Sequence, residues 1–179
     1  MDLLRRFTLG DIDAFETLVR QIQASIYAWI VRIVRDPGVA EDLTVETLWR
    51  MYRSRHQFRV DGNLEAWAHR IATNLAIDYL RRKKPEHSLL AEPVAAPNSD
   101  HLLAREIREK VQEAFRRLPP KLQIAATLAL IEERPYDEIA SALGLSVGAT
   151  KVRVFRAVRI LRKQLSDGGI TPIERAYND

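Results

Sequence analysis

Four histidines, 24 carboxylates and no cysteine are the groups this 179-residue chain has for acid–base, nucleophilic or metal chemistry. His56, His69, His87 and His101 stand in no zinc-like spacing, and neither a glycine-rich phosphate loop nor a serine elbow is present. His69 and Asp78 would lie about 13 Å apart along a helix axis, too far to share a proton. The histidines read as surface groups, and no catalytic residue, metal or cofactor is expected. What the residue types favour instead is the holding of a polyanion. From Ser146 to Leu165 there are six basic residues, Lys151, Arg153, Arg156, Arg159, Arg162 and Lys163, and no acidic one. A helix face turned to water normally mixes its signs, so charge of one sign favours phosphate contact.

The stretch carrying those cations, YDEIASALGLSVGATKVRVFRAVRILRKQL over 136–165, predicts two helices joined by a very short turn. Ile139, Ala140 and Leu143 give the first an apolar stripe, Gly144 suits a left-handed turn, and Ser146 suits an N-cap. The second places Val147, Val154, Val158, Leu161 and Leu165 on one face, with the Thr150 methyl completing the stripe. Its other face carries Lys151, Val152, Phe155, Arg156 and Arg159. A helix-turn-helix entering a DNA groove accounts for all of these. A basic amphipathic helix lying on a protein or membrane surface would leave Ala140, Gly144 and Ser146 without a reason.

At 46% hydrophobic residues the chain can bury a core, as one domain or two small ones. A net charge of +4 favours an anionic partner only modestly, since 24 acids offset 28 bases. The lack of cysteine removes disulfides and thiolate zinc sites and fits a reducing cytoplasm. With neither a signal peptide nor a membrane-spanning apolar run, a soluble intracellular chain without membrane insertion is expected.

Read in order, the chain predicts helices throughout and no strand, repeat or low-complexity tract. Asp11 or Asp13 can cap the first long helix, with Glu16 completing a capping box. Phe15, Leu18, Val19, Ile22, Ile26, Trp29, Ile30 and Ile33 follow at helical spacing. Asp36, Pro37 and Gly38 end it, and a second helix is expected from about Val39 to His56. There Ala40, Leu43, Leu48, Trp49 and Tyr52 can be partly buried, while Glu41, Asp42 and Glu46 form an acidic patch that also suits the helix dipole. After a polar loop over 59–62, Asn63 can cap a helix ending near Lys84, with Leu64, Trp67, Ala68, Ile71, Leu75 and Tyr79 inward. His69, Arg70, Thr73, Asn74, Asp78, Arg81 and Arg82 form its outward, hydrogen-bonding side. The run 85–99, with three prolines, reads as a linker. Ser99 or Asp100 then caps a helix with Leu103, Ile107, Val111, Ala114 and Phe115 inward. Pro120 or Lys121 opens the next, whose Leu122, Ala125, Leu128 and Leu130 make it mostly apolar.

These features together resemble the extracytoplasmic-function (ECF) sigma factors. GDIDAFETLVRQ, DPGVAEDLTVETLWRMYR and LEAWAHRIATNLAIDYLRRKK are similar to the family's region two. LPPKLQIAATLALIEERPYDEIASALGLSVGATKVRVFRAVRILRKQL is similar to region four. The resemblance implies an all-α chain of two small helical domains joined by a proline-containing linker: a region-two-like domain over 1–84, the linker over 85–100, a region-four-like helix-turn-helix domain over 101–166 and a tail over 167–179. It implies core RNA polymerase, promoter DNA and an anti-sigma factor as partners. Asp36, Glu41, Asp42, Leu43, Glu46 and Trp49 would bind polymerase. Arg59, Asp61, Asn63, Arg70, Asn74, Asp78, Arg81 and Arg82 would hold the minus-ten element, with flipped bases read on their hydrogen-bonding edges and neighbouring phosphates held by arginine. Ser146, Lys151, Val152, Arg153, Phe155, Arg156 and Arg159 would read the minus-thirty-five element in duplex DNA. Val45, Thr150 and Val152 depart from the family's usual glutamine, aliphatic and small polar residues. Apolar Val152 beside Phe155 suits thymine methyl groups, so a T-bearing step in the upstream element is expected.

Two other readings compete. A dimeric helix-turn-helix regulator would bind palindromic duplex tightly without polymerase. An enzyme acting on nucleic acid would need the carboxylate or histidine cluster that the chain lacks.

Overall fold

In the computed structural model, residues 2–83 and 99–170 are described, with side chains in the second stretch described from 104 onward. These residues are all-helical: α1 (Leu3–Thr8), α2 (Ile12–Val34), α3 (Pro37–Arg53), α4 (Leu64–Arg82), α5 (Ser99–Arg116), α6 (Pro120–Ala126), α7 (Tyr136–Leu143) and α8 (Val147–Asp167). A short 3₁₀ turn over Arg55–Gln57 follows α3, and a π turn over Thr127–Ile131 continues α6. The linker expected over 85–100 lies mostly outside the described residues, and the tail beyond 170 lies wholly outside them; α5 already begins at Ser99.

The caps follow local chemistry. Asp11, rather than Asp13, caps α2, its Oδ1 accepting from Ala14 N–H at 3.0 Å, and Glu16 pairs with Arg20 instead of closing a capping box. Arg6 lies 2.8 Å from Asp11 and holds its carboxyl below the usual carboxylate range, helped by the Ala14 N–H. Arg35 ends α2 in the left-handed conformation, with φ 54°. Asp36 then caps α3 through Val39 N–H at 3.2 Å, and Pro37 opens it. Asn63 caps α4 through Ala66 N–H at 3.0 Å. Gly144 ends α7 at φ 64°, a conformation that only glycine adopts without strain, and Ser146 caps α8 through Ala149 N–H at 3.2 Å.

Helices α2, α3 and α4 pack around Ile26, Trp29, Ile30, Met51, Ala68, Ala72 and Ala76. Phe7, Ala14, Leu18 and Phe58 close one end, where the Phe58 and Trp67 rings lie 5.2 Å apart. In the C-terminal half, α5, α6 and α8 share a core of Ala114, Leu118, Ala126, Ala157 and Leu161. The first cluster continues into this half, because Ile124, Leu128, Ile139 and Ala142 belong to it. Helix α7 packs directly on α4.

Five residues are placed differently from expectation. His69 is buried at 8% exposure and Thr73 is fully buried, because α4 is covered by both α2 and α7. His69 stacks on Trp29 with ring centroids 4.3 Å apart, and the Trp29 indole N–H donates to Thr73 Oγ1 at 3.0 Å. Trp49 is 51% exposed, while Thr44, Thr47 and Met51 fill the inward face of α3; the two threonine hydroxyls donate to carbonyls one turn back. Val147 and Ile107, expected inward, are exposed. Ala157 occupies the centre of the buried α8 face.

Candidate nucleic-acid interface

Helix α8 presents its cations as a solvent-facing surface. Lys151, Arg156 and Arg159 are exposed, and between them Val152 and Phe155 stand 51% and 67% exposed. Two large apolar side chains one turn apart on an exposed basic face serve no packing purpose inside the chain. Arg153 is only partly exposed and lies toward the flank. The Ser146 hydroxyl caps the helix, and the Lys151 ammonium sits 5.8 Å from the Tyr136 ring, which ties α8 to the start of α7. Val154, Ala157 and Leu161 hold the opposite face in the core, and Thr150 satisfies its buried hydroxyl on Ser146 O at 3.0 Å. A rigid, capped helix with a basic, apolar-tipped outer face is suited to a major groove.

A second set lies on α4 and the loop before it. Asn74, Arg81 and Arg82 are exposed and Asp78 is partly exposed, 3.8 Å from Arg81. Arg59 and Asp61 pair with each other at 2.9 Å in full solvent, each favouring the other's charged form. Asn63 is occupied as the α4 cap. Arg70 is exposed, but its guanidinium lies against the Gly144 turn: a Cβ at Gly144 would come within 3.0 Å of Nε. These residues therefore form two groups, the 59–63 loop and the Asn74–Arg82 face, with Arg70 leaning toward the helix-turn-helix.

The acidic face of α3 is open. Glu41, Asp42, Val45 and Trp49 are exposed, Leu43 is half-buried, and Glu46 pairs with Arg50 at 2.7 Å. Arg53 covers the Trp49 ring at 4.4 Å. Asp36 is engaged as the helix cap. Val45, 68% exposed beside Trp49, extends this surface beyond the expected set; its exposed flank between Asp42 and Glu46 is the sequence signal that could have included it.

His69 is the titratable group that sequence reasoning misplaced. Its Nε2 lies 3.1 Å from Ser25 Oγ and 4.0 Å from Glu65, four residues earlier on the same helix. The Ser25 hydroxyl also contacts Glu65. Burial pushes the imidazole below its ordinary value, Glu65 and Glu138 oppose that, and Arg134 adds to it. Among the described residues, no group of histidine and carboxylate side chains is placed to hold a metal ion, and no helix is long and apolar enough to cross a membrane.

Comparison with known proteins matches two stretches of the chain. Residues 18–86 match the family described as Sigma-70 region 2, and residues 108–161 match Sigma-70, region 4. The ECF RNA polymerase sigma factor SigW of Bacillus subtilis (strain 168) is 31% identical over 178 residues, covering 92% of this chain and 95% of that protein. The RNA polymerase sigma-H factor of Pseudomonas aeruginosa is 33% identical over 177 residues, covering 91% and 92%. Among solved structures, CnrH in complex with the cytosolic domain of CnrY overlays with a TM-score of 0.59 at 22% identity, over 92% of this chain and 96% of that one. The sigma factor RpoE in complex with the anti-sigma factor NepR from Bartonella quintana overlays with a TM-score of 0.55 at 21% identity, over 90% and 98%. At those identities the overlays show the fold.

Proposed function

Since the chain belongs to the ECF sigma factors, we propose that its two helical units divide promoter recognition between them within one polymerase holoenzyme. The family makes it a promoter-specific initiation factor, a role carried out by binding and not by bond chemistry of its own. The observation that carries the division of labour is the exposure of three separate surfaces: the acidic α3 face, the α4 face around Asn74 and the basic α8 face.

Glu41, Asp42, Leu43, Glu46 and Trp49 bind core RNA polymerase, with Val45 added and Asp36 holding the helix start. Acid patches steer association with basic surfaces, and Trp49 supplies a large apolar contact at low entropic cost. Asn74, with its amide donor and acceptor in solvent, reads the edge of an unstacked minus-ten base, while Arg70, Arg81 and Arg82 hold the strand and Arg59, Asp61 and Asn63 form the adjoining loop. Lys151, Arg156 and Arg159 grip minus-thirty-five phosphates or guanine edges from α8, and Val152 and Phe155 lie against thymine methyls. Residues 1–84 and 101–166 are the two working units, and the working place is the cytoplasm, where polymerase and promoter are. An anti-sigma factor is a further partner on this reading, because both solved relatives are described bound to a second protein.

Transcription with core polymerase on a random promoter library tests the reading. The chain should enrich a two-part motif absent with core alone. Tight binding of palindromic duplex by a dimer, without initiation, would instead favour an ordinary helix-turn-helix regulator.

A further inference from the structure

Helix α8 carries a glycine that nothing inside the chain explains. Gly148 stands exposed in the first turn of the helix. It is helical, unlike the positive-φ Gly10, Gly144 and Gly169, so no left-handed turn requires it. A Cβ built there would meet no atom within 4 Å, so no neighbouring element requires it either. Glycine is the poorest helix former after proline, which makes it a costly choice at a helical position. The cap beside it is complete without it: Ser146 Oγ accepts from Ala149 N–H at 3.2 Å, and Ser146 O accepts from Thr150 N–H at 3.0 Å.

The position gains a reason from its row. Gly148, Val152, Phe155 and Arg159 follow one another at i, i+4, i+7 and i+11 and so share one line down α8. All four are exposed, and the line is fixed outward because Thr150, Val154, Ala157 and Leu161 hold the opposite face in the core. Reach along this line shrinks toward the helix start: a long guanidinium, a ring, a short branched side chain, then none. A row that tapers in this way fits a surface that comes nearest the helix axis at the first turn. The major groove is about 12 Å wide and a helix with its side chains is about 10 to 12 Å across, which leaves no slack at the deepest point. We propose that Gly148 is a positioning residue, the place where the α8 backbone comes closest to the upstream duplex. Its bare Cα lets the first turn sink into the groove and so sets the depth at which Val152 and Phe155 meet the bases. The inference rests on the functional reading above, in which α8 reads the upstream element.

A glycine with no task and a glycine that sets docking depth respond oppositely to a side chain. Gly148→Ala and Gly148→Leu are made in the full chain, and the thermal midpoint is measured on each. Affinity is measured with core polymerase on promoters that the unaltered chain selects from a random library. Better helix formers should raise the midpoint, by about 2 to 4 °C for alanine. Promoter affinity should nevertheless fall about tenfold with alanine and further with leucine, because the first turn no longer seats. Since Val152 acts at the depth that Gly148 allows, Val152→Ala should change affinity less than about twofold in the Gly148→Ala background while costing more in the unaltered chain. Unchanged affinity with Gly148→Ala overturns the proposal. So does a fall in the midpoint together with affinity, which would make the glycine structural, or losses from the two substitutions that simply add. If the unaltered chain selects no upstream motif at all, the functional reading itself fails.

Discussion

On the proposed reading, Val152 and Phe155 would make α8 more than an electrostatic grip. Phosphate contacts by lysine and arginine position a protein without reading sequence, whereas an exposed valine and phenylalanine have no favourable partner in a groove except thymine methyls. Val152→Ala should therefore relax preference at one T-bearing upstream position in a binding-site selection, with the other positions unchanged; an unaltered selection at every position would remove the assignment. Arg156→Ala distinguishes the two kinds of contact. A base-edge contact costs roughly 1 to 3 kcal/mol at one position, and a phosphate contact weakens all sequences alike and lowers the salt slope. His69 makes a prediction of the opposite kind, about stability. Its pKa is depressed below 6.5, chiefly by burial, so the folded chain takes up this proton at lower pH than the unfolded chain does. Stability is then complete above the unfolded value and falls as the pH drops through 6.5 toward the folded value. Ser25, Glu65, Glu138 and Arg134 are the groups that face it. His69→Phe, which keeps a ring on Trp29 and removes the titration, should flatten the decline of the thermal midpoint on mild acidification. An unchanged slope would place the pH sensitivity elsewhere.

At the scale of elements, local chemistry was legible and tertiary cover was not. Gly144, Ser146, Asn63 and Pro120 mark helix ends through backbone conformation or a side chain three residues from its partner, so the helix-turn-helix and the start of α4 stand where the residues place them. A single apolar stripe cannot show that a helix is covered twice. His69 and Thr73 look outward by periodicity, yet Trp29 of α2 packs on both, and α7, more than 60 residues away in sequence, packs on the same helix. Trp49 failed in the other direction: as a large apolar residue it suggested packing, while small Thr44 and Thr47, able to satisfy their own hydroxyls, took the inward positions. The exposed side of α3 is consequently acidic and apolar together. Reversing Asp42 and Glu46 to lysine should weaken association with core polymerase in a pull-down or anisotropy titration. It should leave the full chain's affinity for upstream duplex unchanged, because α8 belongs to the other unit. Equal damage to both activities would mean that the surfaces are not separate.

For the whole molecule, the chain belongs to a family of initiation factors, and helices from both halves of the sequence share one apolar cluster. All-helical architecture was accessible from the sequence, since caps, prolines and stripes recur at short range. The packing of α7 on α4 was not, because it depends on Ala68, Ala72 and Ala76 meeting Ile139 and Ala142 across the linker, and alanines carry little signal of what they touch. The central claim is that the chain couples upstream duplex recognition to downstream strand opening, and permanganate footprinting of unpaired thymines in complexes with core polymerase tests it most directly. The account predicts reactive thymines in the downstream element with the unaltered chain, and with Asn74→Ala a loss of that reactivity larger than any loss of closed complex. No reactive thymines with the unaltered chain, despite full occupancy of the upstream element, would contradict it.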